Sequence, residues 1–221
     1  MNNKNIEIVQ EYIAQVINGK RFERIYDYLS KQCLFHNPPY VGLGIFADSS
    51  SGERMEIKSV VPNGPADGKV QVGDILLRVH DGGRTWEGYE QLQNPVWGPG
   101  KIGDEVMITL LRDGEALEVT VTRGQITGFA QILADTYDAW VHYMKAEVPD
   151  LRSEVNLILA SGDLVAYHAT HWSTHPKYQQ SAVWTSCNIL RLENDKIVEW
   201  WSVDDALSQQ LQLGFQMVEP E

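Results

Sequence analysis

Apolar and polar positions fall into three successive rhythms along the chain. In residues 5–30, Ile6, Val9, Ile13, Val16 and Ile17 recur every three to four residues, the period that gathers side chains on one face of a helix. Gly19 closes that run, and Phe22, Ile25, Tyr26 and Leu29 start a second short helix. The paired prolines of LFHNPPYVGLG then halt regular structure, because a residue before proline is driven out of the helical region. From about Val41 to Arg123 the pattern becomes short β-type runs: MEIKSVV, DILLRVH, EVMITLLR and ALEVTVTR. Gly/Pro/Asp turns such as PNGPADG, HDGG and RDGE separate them, which predicts a small β-rich domain with one short helix at Tyr89–Leu92. From Ile126 a helical period returns in Phe129, Leu133, Trp140 and Met144. Four strand-like runs follow, SEVNLILA, DLVAYHATHWST, SAVWTSCNILRLE and KIVEWWSV. The end, DDALSQQLQLG, reads as a helix with Asp at its start and Gly at its close.

The two helix-and-strand pieces suit one α+β domain of residues 1–40 and 126–221, interrupted by a complete β-rich insert at 41–125. Such an insertion is tolerated at an exposed loop, because a compact insert brings its own ends together. Composition narrows the function classes. Apolar residues make up 43% and charged residues 22% of the chain, the balance of a folded protein. The net charge is −12 with no cluster of Lys or Arg, which argues against nucleic acid and anionic membranes as partners. No stretch approaches the ~18 apolar residues of a membrane-spanning helix, and MNNKNIEIVQEY has no apolar segment to serve as a secretion signal. The two cysteines, Cys33 and Cys187, form neither a disulfide framework nor a metal spacing, so a cytoplasmic location is expected. Both are expected to be buried and inert, Cys187 among the apolar residues of its strand.

The middle segment resembles a PDZ domain. The residues that carry this are Gly42-Leu43-Gly44-Ile45, then VVPNGPADGKVQVGDILLRV and GDEVMITLLRDGE. The resemblance implies that Gly42, Leu43, Gly44 and Ile45 form the loop that receives a peptide's terminal carboxylate, the peptide adding as a strand beside the next one. The flanking pieces resemble the SnoaL-like polyketide cyclases of the nuclear transport factor 2-like superfold. KIVEWWSVDDALSQQLQLG is similar to that family's GKIvEhWdvxDxxxllqQLG, with support from VPDLR, ASGDLVAYHATHWSTH and Phe35-His36-Asn37-Pro38. Three positions depart from the pattern: Trp200 stands for its histidine, Ser202 for an aspartate and Ser173 for a glycine. The resemblance implies a cone-shaped, curved antiparallel sheet packed on helices, a pocket at one end, a homodimer, and the insert at the pocket rim.

It also implies that Asp205 is the acid/base of an intramolecular aldol-type ring closure. That chemistry needs a carboxylate near an acidic C–H in an apolar cavity, where desolvation lifts its pKa toward the working range. Strand alternation puts Glu199, Trp201, Val203 and Asp205 on one face, with Trp201 and Val203 as pocket walls. The bland alternative for Asp205 is a helix N-cap before ALSQQLQ. His36 and His171 are candidates to polarise a carbonyl, against the plainer reading of satisfied core or rim histidines. Tyr167, Trp184 and Trp140 belong to an aromatic set that suits a flat ligand or a packed core. His171 and His175 share a face about 13 Å apart at ~3.3 Å per residue, too far for one metal. No cofactor is expected.

Two functions of different class therefore stand at this stage. One is a cofactor-independent cyclase, or a related isomerase or hydrolase, acting on a small hydrophobic substrate. The other is a scaffold whose PDZ insert captures a C-terminal peptide.

Overall fold

A computed structural model describes residues 3–48, 53–93, 98 and 100–217. It divides into two compact units, Met1–Asn37 with Ala130–Glu221 and Pro38–Phe129. Among the described residues no helix is long and apolar enough to cross a membrane.

In the first unit α1 (Asn3–Tyr12) runs on as wider π turns through Ile13–Asn18. Its spaced apolar residues Val9, Tyr12, Ile13 and Val16 are all buried, each such side chain contributing roughly 1.5–3 kcal/mol. Gly19 ends it where a Cβ would lie 2.5 Å from the Gln15 carbonyl oxygen, a space that no other residue fits. The second helix is shorter than its apolar spacing suggests. A single 3-10 turn leads into α2 (Ile25–Tyr28), and Leu29 already begins β1 (Leu29–His36).

The remaining strands of this unit, numbered in chain order, are β10 (Ala130–Ile132), β11 (Arg152–Ser161), β12 (Leu164–His175), β13 (Gln180–Glu193) and β14 (Lys196–Asp204). They form one sheet in the order β10-β1-β14-β13-β12-β11. Every pairing is antiparallel except β1 with β14, which is parallel. Register shifts at Leu29/Leu34, Val155/Leu157 and Arg191/Leu192 curve the sheet. The helix expected from Ile126 starts later, as α4 (Leu133–Ala146), and α5 (Ala206–Gln212) closes the chain. The core of the unit joins α1 and α4 to the inner face of the sheet through Val9, Val16, Leu133, Val165, Leu190 and Ile197. Cys33 lies there fully buried, and burial, with the Glu199 charge adding, pushes its thiol up to about 12. Cys187 is not buried: it pairs with His168 and Val203 on the opposite, exposed face.

In the second unit β2 (Tyr40–Gly42) pairs with β9 (Gly124–Ile126). The larger sheet orders β3 (Ile45–Asp48), β4 (Met55–Val60), β5 (Ile75–Asp81), β7 (Glu105–Arg112) and β8 (Glu115–Thr122). The hairpin strand β6 (Arg84–Glu87) pairs with β5, and α3 spans Tyr89–Leu92. Leu43, Ile57, Val79, Ile108 and Val121 fill its core. Its buried charges are paired. Arg112 donates twice to Asp74, at 2.8 and 2.7 Å, and holds that carboxyl below its ordinary range. The fully buried Arg123 donates to both Asp81 oxygens, at 3.1 and 2.8 Å. Gly100 makes room for it, since a Cβ there would meet the guanidinium at 2.5 Å. Pro99 lies outside the described residues.

Candidate active-site cavity

The first unit holds a cavity of about 460 Å³ between its helices and the inner face of its sheet, within the usual range of small-molecule sites. Two kinds of wall line it. Tyr12, Phe35, Trp140, Tyr143, Tyr167, Trp184 and Trp200 supply aromatic surface. Ser153, His171, Ser186, Asn188, Ser202 and Asp204 supply a polar strip. The strip follows from register. Ser153 pairs with His171, Ser186 with Asp204 and Asn188 with Ser202, so alternate residues of four adjacent strands reach the same space.

These groups are joined. His171 Nδ1 lies 2.8 Å from Ser153 Oγ and its Nε2 lies 2.7 Å from Ser186 Oγ. Asn188 Nδ2 donates to Ser186 Oγ at 2.8 Å, and the Trp200 indole N–H donates to Asn188 Oδ1 at 2.9 Å. Asn18 pins Ser153 from behind, accepting its backbone N–H at 2.8 Å and donating to its carbonyl at 2.9 Å. Burial lowers the His171 pKa, against an upward pull from Asp204 and with a small downward push from His168. The imidazole is therefore neutral near pH 7, with one nitrogen to give a hydrogen bond and one to receive. Burial also raises the Tyr167 and Tyr143 phenols, and the Asp204 charge raises both further, so both stay protonated. Asp204 stands exposed at the cavity mouth, and the Ser202 hydroxyl donates to its Oδ2 at 3.0 Å.

The residues expected to form the site divide between two places. His171, Tyr167, Trp184 and Trp140 line the cavity. Asp205, Trp201, Val203 and His36 do not. Asp205 is exposed and caps α5, its Oδ1 accepting the Ser208 backbone N–H at 3.1 Å. Val203 is 69% exposed on the outer face. Trp201 stacks on His36 there, ring centroids 4.3 Å apart and 8° from parallel, and His36 Nε2 is 3.9 Å from Glu199 Oε2. The alternation along β14 is as expected, but the face is reversed. The cause is the bulge at Arg191/Leu192. The hairpin starts with Glu193 opposite Lys196; carried on without interruption, that register would set Trp184 opposite Asp205. The bulge shifts it by one, and a one-residue slip exchanges the two faces. Asp204 takes the place expected for Asp205. Ser153, Ser186 and Asn188 were not among the residues expected at the site, and Trp200 was expected only as a departure from the family pattern. The signal for Ser186 and Asn188 was their parity with Trp184 on the same strand, β13.

In the second unit Gly42 ends β2, Leu43 is buried and Ile45 opens β3. Gly44 lies at φ +74°, its carbonyl accepting the Val61 N–H at 2.8 Å. Glycine is required there, because the left-handed region disfavours a side chain. Among the described residues the following strand, β3, ends the strand order of its sheet and pairs with β4.

Residues 124–213 match the family model of the SnoaL-like polyketide cyclases, and residues 39–122 match that of the PDZ domain. Among solved structures the chain is similar to a candidate polyketide cyclase from Bacillus cereus ATCC 10987, with 24% identity and a TM-score of 0.34. That match covers 40% of this chain and 55% of the other, so the chain spans about half of that protein. AclR, a candidate hydroxylase from Streptomyces galilaeus, is 29% identical with a TM-score of 0.37, over 42% of this chain and 67% of that one. IdmH, a candidate polyketide cyclase from Streptomyces antibioticus, is 16% identical with a TM-score of 0.45, over 96% of this chain and 99% of that one. No curated protein matches the chain.

Proposed function

We propose that the first unit is a cofactor-independent acid/base enzyme of the cyclase type, acting on a small, flat, hydrophobic substrate that carries carbonyl groups. One observation supports this most: a carboxylate, Asp204, and a neutral imidazole, His171, border the same aromatic cavity. In this reading Asp204 takes the proton from a carbon beside a carbonyl. The electron pair of that C–H bond becomes the enolate double bond, and the charge moves to oxygen, where a hydroxyl of the Ser153–His171–Ser186 group meets it. The enolate carbon bonds to a second carbonyl carbon of the same molecule, whose C=O π pair moves to its oxygen, and the resulting alkoxide takes back the proton held by the Asp204 carboxyl. The product is an isomer of the substrate. Aromatic walls hold the flat molecule in place.

The test is hydrogen–deuterium exchange at the acidic carbon of aromatic 1,3-diketone probes. Asp204→Asn is expected to lower exchange about 10²–10⁴-fold, the range for removing a general base. Asp205→Asn keeps a capping side chain and is expected to leave exchange unchanged. Equal losses in both proteins, or in neither, would remove the proposal.

For the second unit we propose a peptide-binding role: capture of a C-terminal carboxylate at Gly42–Ile45 with strand addition on β3. The place of β3 at the end of its sheet's strand order, directly after the glycine loop, favours it. A panel of C-terminal peptides with no binding above background would count against it. Assembly as a homodimer and a cytoplasmic location are part of the same reading.

A further inference from the structure

Trp200, Asn188, Ser186, His171 and Ser153 form an unbroken line of hydrogen bonds along the cavity wall, and its first member has no choice of direction. The Trp200 indole N–H donates and cannot accept, so the Asn188 atom 2.9 Å away is the carbonyl oxygen. The amide is thereby fixed, and its Nδ2 donates to Ser186 Oγ at 2.8 Å. Ser186 is 3% exposed, so its own proton needs an acceptor. His171 Nε2 lies 2.7 Å away, and His171 Nδ1 lies 2.8 Å from Ser153 Oγ. Two neutral tautomers fit these distances. With the proton on Nδ1, every bond runs the same way, and each donor polarises the next. With the proton on Nε2, Ser186 Oγ receives two donors and its hydrogen loses the imidazole as an acceptor.

We infer that Trp200, acting through Asn188, is a positioning residue that holds His171 in the Nδ1–H tautomer and leaves the Ser153 hydroxyl proton as a free donor in the cavity. The inference deepens the proposed cavity chemistry and rests on it for its meaning. It places the ligand oxygen at Ser153 rather than Ser186, and it makes that subsite one for acceptors, such as a carbonyl or enolate oxygen, rather than for donors.

The tautomer is readable without any ligand. Long-range nitrogen–proton correlation NMR on the full chain, carrying nitrogen-labelled histidine, reports which ring nitrogen holds the proton. His171 is assigned by the signals lost in His171→Gln. The expected wild-type spectrum has the protonated nitrogen at Nδ1 and the bare one at Nε2. Trp200→Phe keeps a ring against Phe35 and Tyr12 while removing the fixed donor, and Asn188→Leu removes the link. Each is expected to replace the single pattern with an average of the two tautomers. A wild-type His171 protonated at Nε2, or a Trp200→Phe spectrum identical to wild type, overturns the inference. A failed tautomer experiment leaves the Asp204 comparison to judge the chemistry, and a failed Asp204 comparison leaves the tautomer standing.

Discussion

The two units use their inward polar groups in opposite ways. In Pro38–Phe129 the buried charges answer one another: Asp74 is held by Arg112, and Arg123 by Asp81. Each pair ties a β-strand to a residue between strands. In the other unit Ser153, Ser186 and Asn188 are as deeply buried, yet they border about 460 Å³ of open volume. Their bonds satisfy the chain and still leave one donor over. Burial of polar groups therefore does not mark a site by itself; a group that remains unspent beside a cavity does.

The largest effect that separates the two cases is on exchange chemistry, the loss expected of Asp204→Asn with the fold intact. The converse is Arg123→Met. Removing one partner of a buried ion pair costs about 3–5 kcal/mol, and since Asp81 is 22% exposed the low end applies. Amide hydrogen exchange is expected to report that loss of protection in β8 and β5, while diketone exchange stays at the wild-type rate. If Arg123→Met abolished the chemistry, or Asp204→Asn melted the sheet, the division between the units would be false.

A smaller effect follows from pH. His171 is buried, and its folded pKa lies below the ordinary value. Above the unfolded pKa of about 6.5 both states are neutral and the group contributes no pH slope. Below it the unfolded chain binds the proton more readily, so stability falls as pH drops. Denaturant midpoints for the first unit are expected to decline from pH 7 to pH 5, and part of that decline should vanish in His171→Gln. A slope unchanged by that substitution would mean that the imidazole takes up a proton as readily in the folded chain as in the unfolded one.

Much of this was legible in advance. The runs MEIKSVV, DILLRVH and EVMITLLR became β4, β5 and β7 because period-two alternation and glycine turns are local signals. The four long strands of the first unit were equally plain. Three features were not. Leu29 left its helix for a strand because tertiary pairing with Ile197 overrode a weak local period. Cys187 lies on the exposed face because an apolar neighbourhood in sequence does not say which side of a sheet is inside. The third is the identity of the carboxylate. It turned on one bulge at Arg191/Leu192, and nothing in residue types announces an extra residue in a long hairpin. Trp200 illustrates a different gap. It was visible as a departure from the family pattern, but its meaning needed the indole–Asn188 distance. A histidine there either gives or takes a hydrogen bond, whereas a tryptophan only gives one.

The smallest effect bears on the two adjacent aspartates. Asp205 accepts the Ser208 N–H at the first turn of α5, and losing a cap of this kind to alanine costs about 1 kcal/mol. The helix it starts is seven residues long with no buried residue of its own, so little else holds that turn. Gln212 near its end does reach back, its Nε2 donating to the Val183 carbonyl at 2.7 Å and its Oε1 accepting the Val183 N–H at 2.9 Å. Asp205→Ala is therefore expected to loosen the first turn of α5 while Gln212 keeps the last turn against β13, seen as faster amide exchange at Ser208 and Gln209. Diketone turnover should stay near wild type, because the carboxylate at the cavity mouth belongs to Asp204. Turnover lost in Asp205→Ala and retained in Asp204→Asn would mean that the register seen across the Arg191/Leu192 bulge is not the one that works in solution.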